Sequence, residues 1–371
     1  MNGGPESGGP DLLIVGGGPA GLATALAAAG RGMRPLVLER RRPPIDKACG
    51  EGIMPDGVAA LRRLGVEAPG VPFRGIRYVD EDSAAEAPFP GGPGRGVRRL
   101  DLHAALVAAV ERAGIEVRWG QRVEEVTLAG EVRTGGETLR ARWVVGADGL
   151  RSRVRGWAGL AGPAPRRPRF GVRRHYRLPP WTDLVEVHWG GKVEAYVTPV
   201  EVDEVGIAML WGGGGDFDRL LASFPLLQQR LAGVDVTSRD RGAGPFRQRA
   251  RGIARGRVVL VGDAGGYLDA ITGEGLGLSF QQAEALAAAL AAGDLRPYVR
   301  ACRRLARLTD GLTETLLFCE RRPWLRRRLV RELGRRPALF SRLLGAHARQ
   351  LPLRAVGARA FGGLLLGLLR P

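Results

Sequence analysis

Two lysines, Lys47 and Lys192, are all the chain has, so arginine carries nearly the whole positive side of a net charge of +18 over 371 residues. The arginines run from Arg31 to Arg370 instead of filling one patch, which discounts a nucleic-acid surface in spite of a sequence pI ≈ 11.2. The dense stretch Arg321 to Arg336 interleaves Trp324, Leu325, Leu329, Val330 and Leu333 at helical spacing. It reads as a solvated amphipathic helix, with peripheral membrane contact through basic C-terminal helices as the alternative. Cysteine and histidine are equally thin. Cys49, Cys302 and Cys319 stand far apart, and His103, His175, His188 and His347 are isolated, which excludes a disulfide framework and leaves no metal-ligand spacing. Long apolar runs are missing too, for the most apolar tail, Phe361 to Leu369, is well short of the ~20 residues that span a bilayer. The leader Met1 to Pro10 lacks both the basic start and the apolar stretch of a signal peptide. A cytoplasmic location is expected, with membrane association left open.

What is present is an alternation of structural periods. Asp11 to Val15, Ala20 to Ala29 and Pro35 to Glu39 read as strand, helix, strand. Leu102 to Arg112 is helical by its apolar spacing, and Glu116 to Trp119 and Trp143 to Ala147 are further strands. From Phe170 to Leu210 the pattern turns β-rich, as in Leu184 to Trp189 and Glu194 to Val197. Arg257 to Val261 returns to a buried-strand pattern and leads into the helical stretch Gly277 to Ala292. The fold expected is α/β: a discontinuous Rossmann-type dinucleotide-binding domain (1–80, 97–165 and 250–295), a β-sheet substrate domain (81–96 and 166–249) and C-terminal helices (296–371) broken at Pro323 and Pro337.

Three glycine-rich segments carry the chemistry. The first, Gly16-Gly17-Gly18-Pro19-Ala20-Gly21, lies between strand and helix, with Glu39 and Arg40 closing the next strand. Gly16 permits the tight turn, Gly18 lets the backbone approach a pyrophosphate, and Gly21 lets helix and strand pack closely. The helix N-terminus attracts phosphates, while Glu39 can accept hydrogen bonds from ribose hydroxyls. By itself this segment suits any dinucleotide. The second is Gly146-Ala147-Asp148-Gly149 with Leu150 to Arg155, and the third is Gly262-Asp263-Ala264-Gly265-Gly266 after a strand.

These two resemble the Asp-Gly and Gly-Asp motifs of flavoprotein aromatic hydroxylases, a class that also includes the geranylgeranyl reductases. The resemblance covers about residues 11 to 300. It implies FAD as the held cofactor, with Asp263 on the ribityl chain, Asp148 near dinucleotide and reductant, and NAD(P)H binding transiently because only one dinucleotide fold is visible. Arg99, at the start of a helix, matches a cofactor-contacting arginine of the class; a surface arginine is the other reading. Two features lean towards the reductases: Lys47 to Gly52 resembles their Cys-Gly segment, and Tyr267 to Gly275 resembles their loop, with Gly273 and Gly275 in its Thr-Gly-Glu-Gly end. Their aromatic channel motif is present only in reduced form, as Tyr196-Val197-Thr198-Pro199. The middle region, from Gly171 to His175 through Trp189, Pro199 and Gly206 to Ala208, looks like bacterial monooxygenases of secondary metabolism.

The resemblance therefore implies an NAD(P)H-dependent monooxygenase that uses O2, through a flavin hydroperoxide, on a small hydrophobic aromatic or polyketide-like molecule. The alternative is a reductase of a C=C bond in an isoprenoid or lipid, and a third reading is a non-catalytic FAD-binding partner. Cys49 is the candidate proton donor or flavin-tuning group, against a small buried residue. Asp269 is a candidate base, against a turn hydrogen bond. His188, Tyr196 and Pro199 are expected at the substrate pocket, with core packing as the alternative for His188 and Tyr196.

Overall fold

The computed structural model describes residues 9–81 and 83–369; the leader up to residue 8, Asp82, Arg370 and Pro371 lie outside the described residues. The elements of the first layer are β1 (Leu12–Val15), α1 (Pro19–Ala29), β2 (Pro35–Glu39) and α2 (Pro55–Arg63). There follow β3 (Gly75–Asp80), β4 (Ser83–Pro88), α3 (Arg99–Arg112), β5 (Glu116–Trp119), β6 (Trp143–Gly146) and α4 (Arg153–Trp157). Next come β7 (Phe170–Tyr176), β8 (Leu184–Gly190), β9 (Val193–Glu201), β10 (Glu204–Trp211), β11 (Arg241–Ala243), β12 (Ala254–Arg255) and β13 (Val258–Leu260). The chain finishes in α5 (Gly275–Ala291), α6 (Arg296–Glu320), α7 (Pro323–Gly334), α8 (Pro337–His347) and α9 (Ala358–Leu369).

The first sheet has the order β12-β13-β6-β1-β2-β5 and is parallel apart from the β12–β13 pair. Its central strands are continuous apolar runs because both faces are covered. On one side Leu12, Ile14, Val37, Val145 and Val259 pack under α1, α3 and α5. On the other, Leu13, Leu36, Val144 and Val258 meet Val123, Val126 and Val132 of a small antiparallel sheet.

The second sheet has the order β11-β7-β10-β9-β8-β3-β4, antiparallel except where β3 runs parallel to β8. Strand β3 therefore belongs to the second sheet. The boundary expected at residue 80 moves back to Gly75, and the cause is pairing: the six-residue register Leu184↔Gly75 to Trp189↔Asp80 joins β3 to a strand whose sequence lies far downstream.

Pro323 and Pro337 each occupy the first turn of a helix, where a missing N–H costs nothing, so the expected breaks are helix starts. Helices α7 and α8 lie against the edge strand β4 and shield it from pairing with another chain. Val330, Leu333, Leu339, Phe340 and Leu344 are buried there with Ile76, Ala85 and Ala87. A fully buried bidentate pair fastens the layer: Arg326 Nε and Nη2 donate to the two Asp80 carboxylate oxygens at 2.9 and 3.0 Å.

Candidate active site

The first glycine segment takes the geometry its chemistry requires. Gly16 sits at φ +116°, and a Cβ there would lie 2.4 Å from the Ala147 carbonyl oxygen. A Cβ on Gly21 would lie 1.8 Å from the Gly16 carbonyl oxygen, so only glycine lets α1 seat against β1. Gly18 faces open space, which leaves its backbone approachable. Glu39 accepts from the Gly17 and Arg41 amides at 2.8 and 2.9 Å, fixing its carboxylate at the end of β2.

The other two segments meet this one across β1, β6 and β13. Asp148 accepts from Ser152 Oγ at 2.5 Å and from the Arg153 and Val154 amides at 2.7 and 3.1 Å, so its carboxylate shapes the loop and caps α4. Gly149 at φ +80° turns the chain beside it. Asp263 lines the cavity and receives no hydrogen bond on its carboxylate from any described residue. Burial pushes its pKa up, and Lys47, Arg155 and Arg99 pull the other way. Arg155, the last residue of the second motif, ties the two motifs by donating to the Ala264 and Leu150 carbonyls at 3.1 and 2.9 Å. Gly262, at φ +61°, donates its amide to Gln282 at 2.8 Å.

Arg99 is a buried residue of this cradle, 3% exposed, and not a surface arginine. Its amide donates to Glu51 at 2.7 Å, and its Nη1 has no hydrogen-bond partner among the described residues. The N-terminal ends of α1 and α5 open onto the same cavity, through Gly18, Pro19 and Ala20 on one side and Gly273 and Gly275 on the other. A ligand with phosphates and hydroxyls suits what these atoms offer: an unengaged carboxylate, an unpaired guanidinium and two positive helix ends. FAD fits this donor set. Arg40 lines the same cavity.

The cavity, about 860 Å³, continues from the cradle onto the inner face of the second sheet. Strand pairing writes that face in rows. One row runs Tyr78, Val187, Tyr196, Ala208, Arg173 and Arg241 across β3, β8, β9, β10, β7 and β11. All six line the cavity. The Tyr78 ring lies between Trp189 and Phe340, with centroids 4.9 and 5.2 Å away. Tyr196 Oη sits 3.0 Å from the Ile271 carbonyl and 3.2 Å from Glu194. Complete burial pushes the Glu194 carboxyl up to about 7, against the pull of Arg169.

His188 and Pro199 do not join Tyr196. With Val187 opposite Tyr196, His188 stands opposite Ala195 on the reverse face, where it bonds Glu186 at 2.9 Å and meets the edge of Phe224. Pro199, an odd number of residues from Tyr196, faces the same way, and neither residue lines the cavity. Asp269 is also turned aside: it accepts from the Ile271 amide at 3.2 Å and lies 3.6 Å from Arg169 Nε, outside the cavity lining. It is a turn residue and an ion-pair partner.

Cys49 does line the cavity. Its sulfur accepts from the Glu51 amide at 3.3 Å, and burial, then Glu51, push the thiol pKa up, so a protonated thiol faces the cavity. Glu51, at φ +60°, bonds His175, and Arg173 bridges to Asp46. Lys47 and Arg173, which lie in segments noted for their family resemblance but were not named as site residues, line the cavity too, and so does His347, to which no sequence signal pointed. His347 is the one histidine on the cavity among the described residues. Its Nε2 donates to the Thr272 carbonyl at 3.1 Å, and its Nδ1 is 3.4 Å from Glu274.

Comparison with known proteins converges on the same cofactor. Residues 10–173 match the family described as an FAD binding domain. A menaquinone reductase of Mycolicibacterium smegmatis is 25% identical over 328 residues, 78% of each chain. A para-nitrophenol 4-monooxygenase of a Pseudomonas species is 28% identical over 76% of this chain and 77% of its own. Among solved structures, a halogenase in complex with phloroglucinol and FAD superposes with a TM-score of 0.76 at 17% identity, covering 96% of this chain and 86% of that one. The chain carries an FAD binding domain over residues 10–173 and is an FAD-dependent oxidoreductase, similar over most of its length to enzymes named as a reductase and a monooxygenase.

Among the described residues no helix is long and apolar enough to cross a membrane.

Proposed function

We propose that the chain is an NAD(P)H-dependent monooxygenase that hydroxylates a hydrophobic aromatic or polyketide-like molecule. The observation that carries this reading is the aromatic extension of the cofactor cavity, walled by Phe73, Tyr78, Tyr196, Phe246 and Tyr267. Flat faces suit a flat substrate, and rings held by their own packing lose little entropy on contact. The likeness to a para-nitrophenol 4-monooxygenase over 76% of the chain supports it.

Bound FAD supplies hydride acceptance and oxygen chemistry; the protein supplies placement and exclusion of water. Asp263 and Arg99 would hold the cofactor, and Val187 and Ala208, the apolar members of the sheet row, help keep water from it. Tyr78 and Tyr196 present the polar edges that orient a substrate. The Tyr196 hydroxyl has two acceptors, Glu194 and the Ile271 carbonyl, so a substrate hydroxyl competes for its proton and is turned by it.

A second reading, reduction of a C=C bond, is favoured by Cys49, whose thiol lies on the cavity in protonated form, and by the likeness to a menaquinone reductase. An anaerobic test on the photoreduced protein separates the two. Oxygen-dependent turnover that adds one oxygen atom to product supports the monooxygenase, whereas turnover without oxygen that adds two hydrogens sinks it.

A further inference from the structure

We propose that the C-terminal helical layer is a docking face for an anionic lipid bilayer. Arginines run through the whole sequence, but the charge balance does not. Residues 296–371 hold 18 arginines against four carboxylates, Asp310, Glu314, Glu320 and Glu332, and so carry +14 of the net +18. The preceding 295 residues are nearly balanced.

Apolar exposure gathers in the same stretch of the chain. Of nine exposed large hydrophobic side chains among the described residues, six belong to this layer: Phe318, Trp324, Leu353, Phe361, Leu365 and Leu366. Trp324 is 55% exposed and Leu366 61%. These are not remnants of a core face, because the core face of the same helices is already spent on the sheet through Val330, Leu333, Leu344 and Leu364. Cation and ring are paired at the surface. The Arg322 guanidinium lies 3.7 Å from the Phe318 centroid, and that of Arg328 lies 5.4 Å from Trp324.

A bilayer with anionic headgroups answers both features at once. Arginines meet the phosphates, and Trp, Phe and Leu side chains enter the headgroup and acyl boundary. A nucleic acid would use the cations but give Leu353, Leu365 and Leu366 nothing to bury against. The layer is also thin. Helix α6 sends Leu312 and Leu316 to the cavity and Phe318 outward, so one helix separates the cavity from the docking face. Docking stands on charge and exposure and does not depend on which oxidation the site performs.

The test uses the FAD-loaded full chain and co-sedimentation with phosphatidylcholine vesicles, with and without phosphatidylglycerol. Binding to the anionic vesicles is expected to exceed binding to the neutral ones at least about tenfold and to weaken with salt. The F318S/W324S/F361S variant, with FAD retained, is expected to lose about tenfold of that binding. Equal binding to both vesicle types overturns the proposal, as does a triple variant that binds as well as the parent, since that marks a general polyanion surface. Should the variant fail to keep FAD, brominated lipid decides: quenching of tryptophan emission that W324F abolishes supports insertion, and quenching that W324F leaves unchanged overturns it.

Discussion

Asp263 is the side chain whose surroundings leave it least explained without a ligand, since it faces the cavity with a carboxylate that no described residue satisfies. Removing it by Asp263→Ala is expected to weaken FAD binding about ten- to hundredfold, the worth of a hydrogen bond to a charged group, measurable by recovery of flavin fluorescence on dilution. Glu194 makes a different prediction. Its folded pKa of about 7 lies above the ordinary carboxylate value, so the folded state binds an extra proton between roughly pH 4.5 and 7. The penalty for ionising it is absent below that window and grows as pH rises through it. Tm is therefore expected to fall from pH 5 to pH 8, and Glu194→Gln to flatten that fall. Asp263 was legible from its motif, whereas Glu194 was not, because nothing in a strand sequence says which of its carboxylates a neighbouring element will bury. His347 shows the same limit: its place at the cavity depends on where α8 docks, and no local pattern records that.

The glycine turn and the C-terminal helices mark two extremes of what elements declare about themselves. Gly16, Gly18 and Gly21 state their geometry in the sequence, since strand, turn and helix lie within one short segment. Gly21→Ala is expected to push α1 off β1, lowering stability by about 1–3 kcal/mol in urea denaturation and abolishing FAD retention. The docking of α7 rests instead on Arg326 and Asp80, 246 residues apart. Asp80→Ala strands a buried guanidinium and is expected to cost about 3–5 kcal/mol, while the D80L/R326M double variant recovers much of it. Urea denaturation of the two variants side by side checks both expectations. Strand faces were the weakest reading. His188 and Tyr196 were both expected at the pocket, yet the register that places Tyr196 beside Val187 turns His188 to the other side. Alternation along one strand shows that two faces exist; only pairing tells which one meets the cofactor.

At the scale of the whole molecule, the α/β layer, the β-rich layer and the helical end were visible as changes of period along the chain. The path between them was not, because β3 reads as a continuation of the cofactor layer and only its partner shows otherwise. Arg74, at the foot of β3, donates to Asp183 at 2.7 and 2.8 Å across 109 positions of sequence. That pairing has a consequence for how the chain comes off the ribosome. The hairpin of β3 and β4 emerges long before β8, the strand it must lie beside, has been made. During that interval it is a two-stranded ribbon with an open edge, the least stable form a sheet can take. Synthesis of the second sheet thus begins inside the cofactor layer and cannot finish until both are present, so neither half of this gene is expected to yield a folded product without the other.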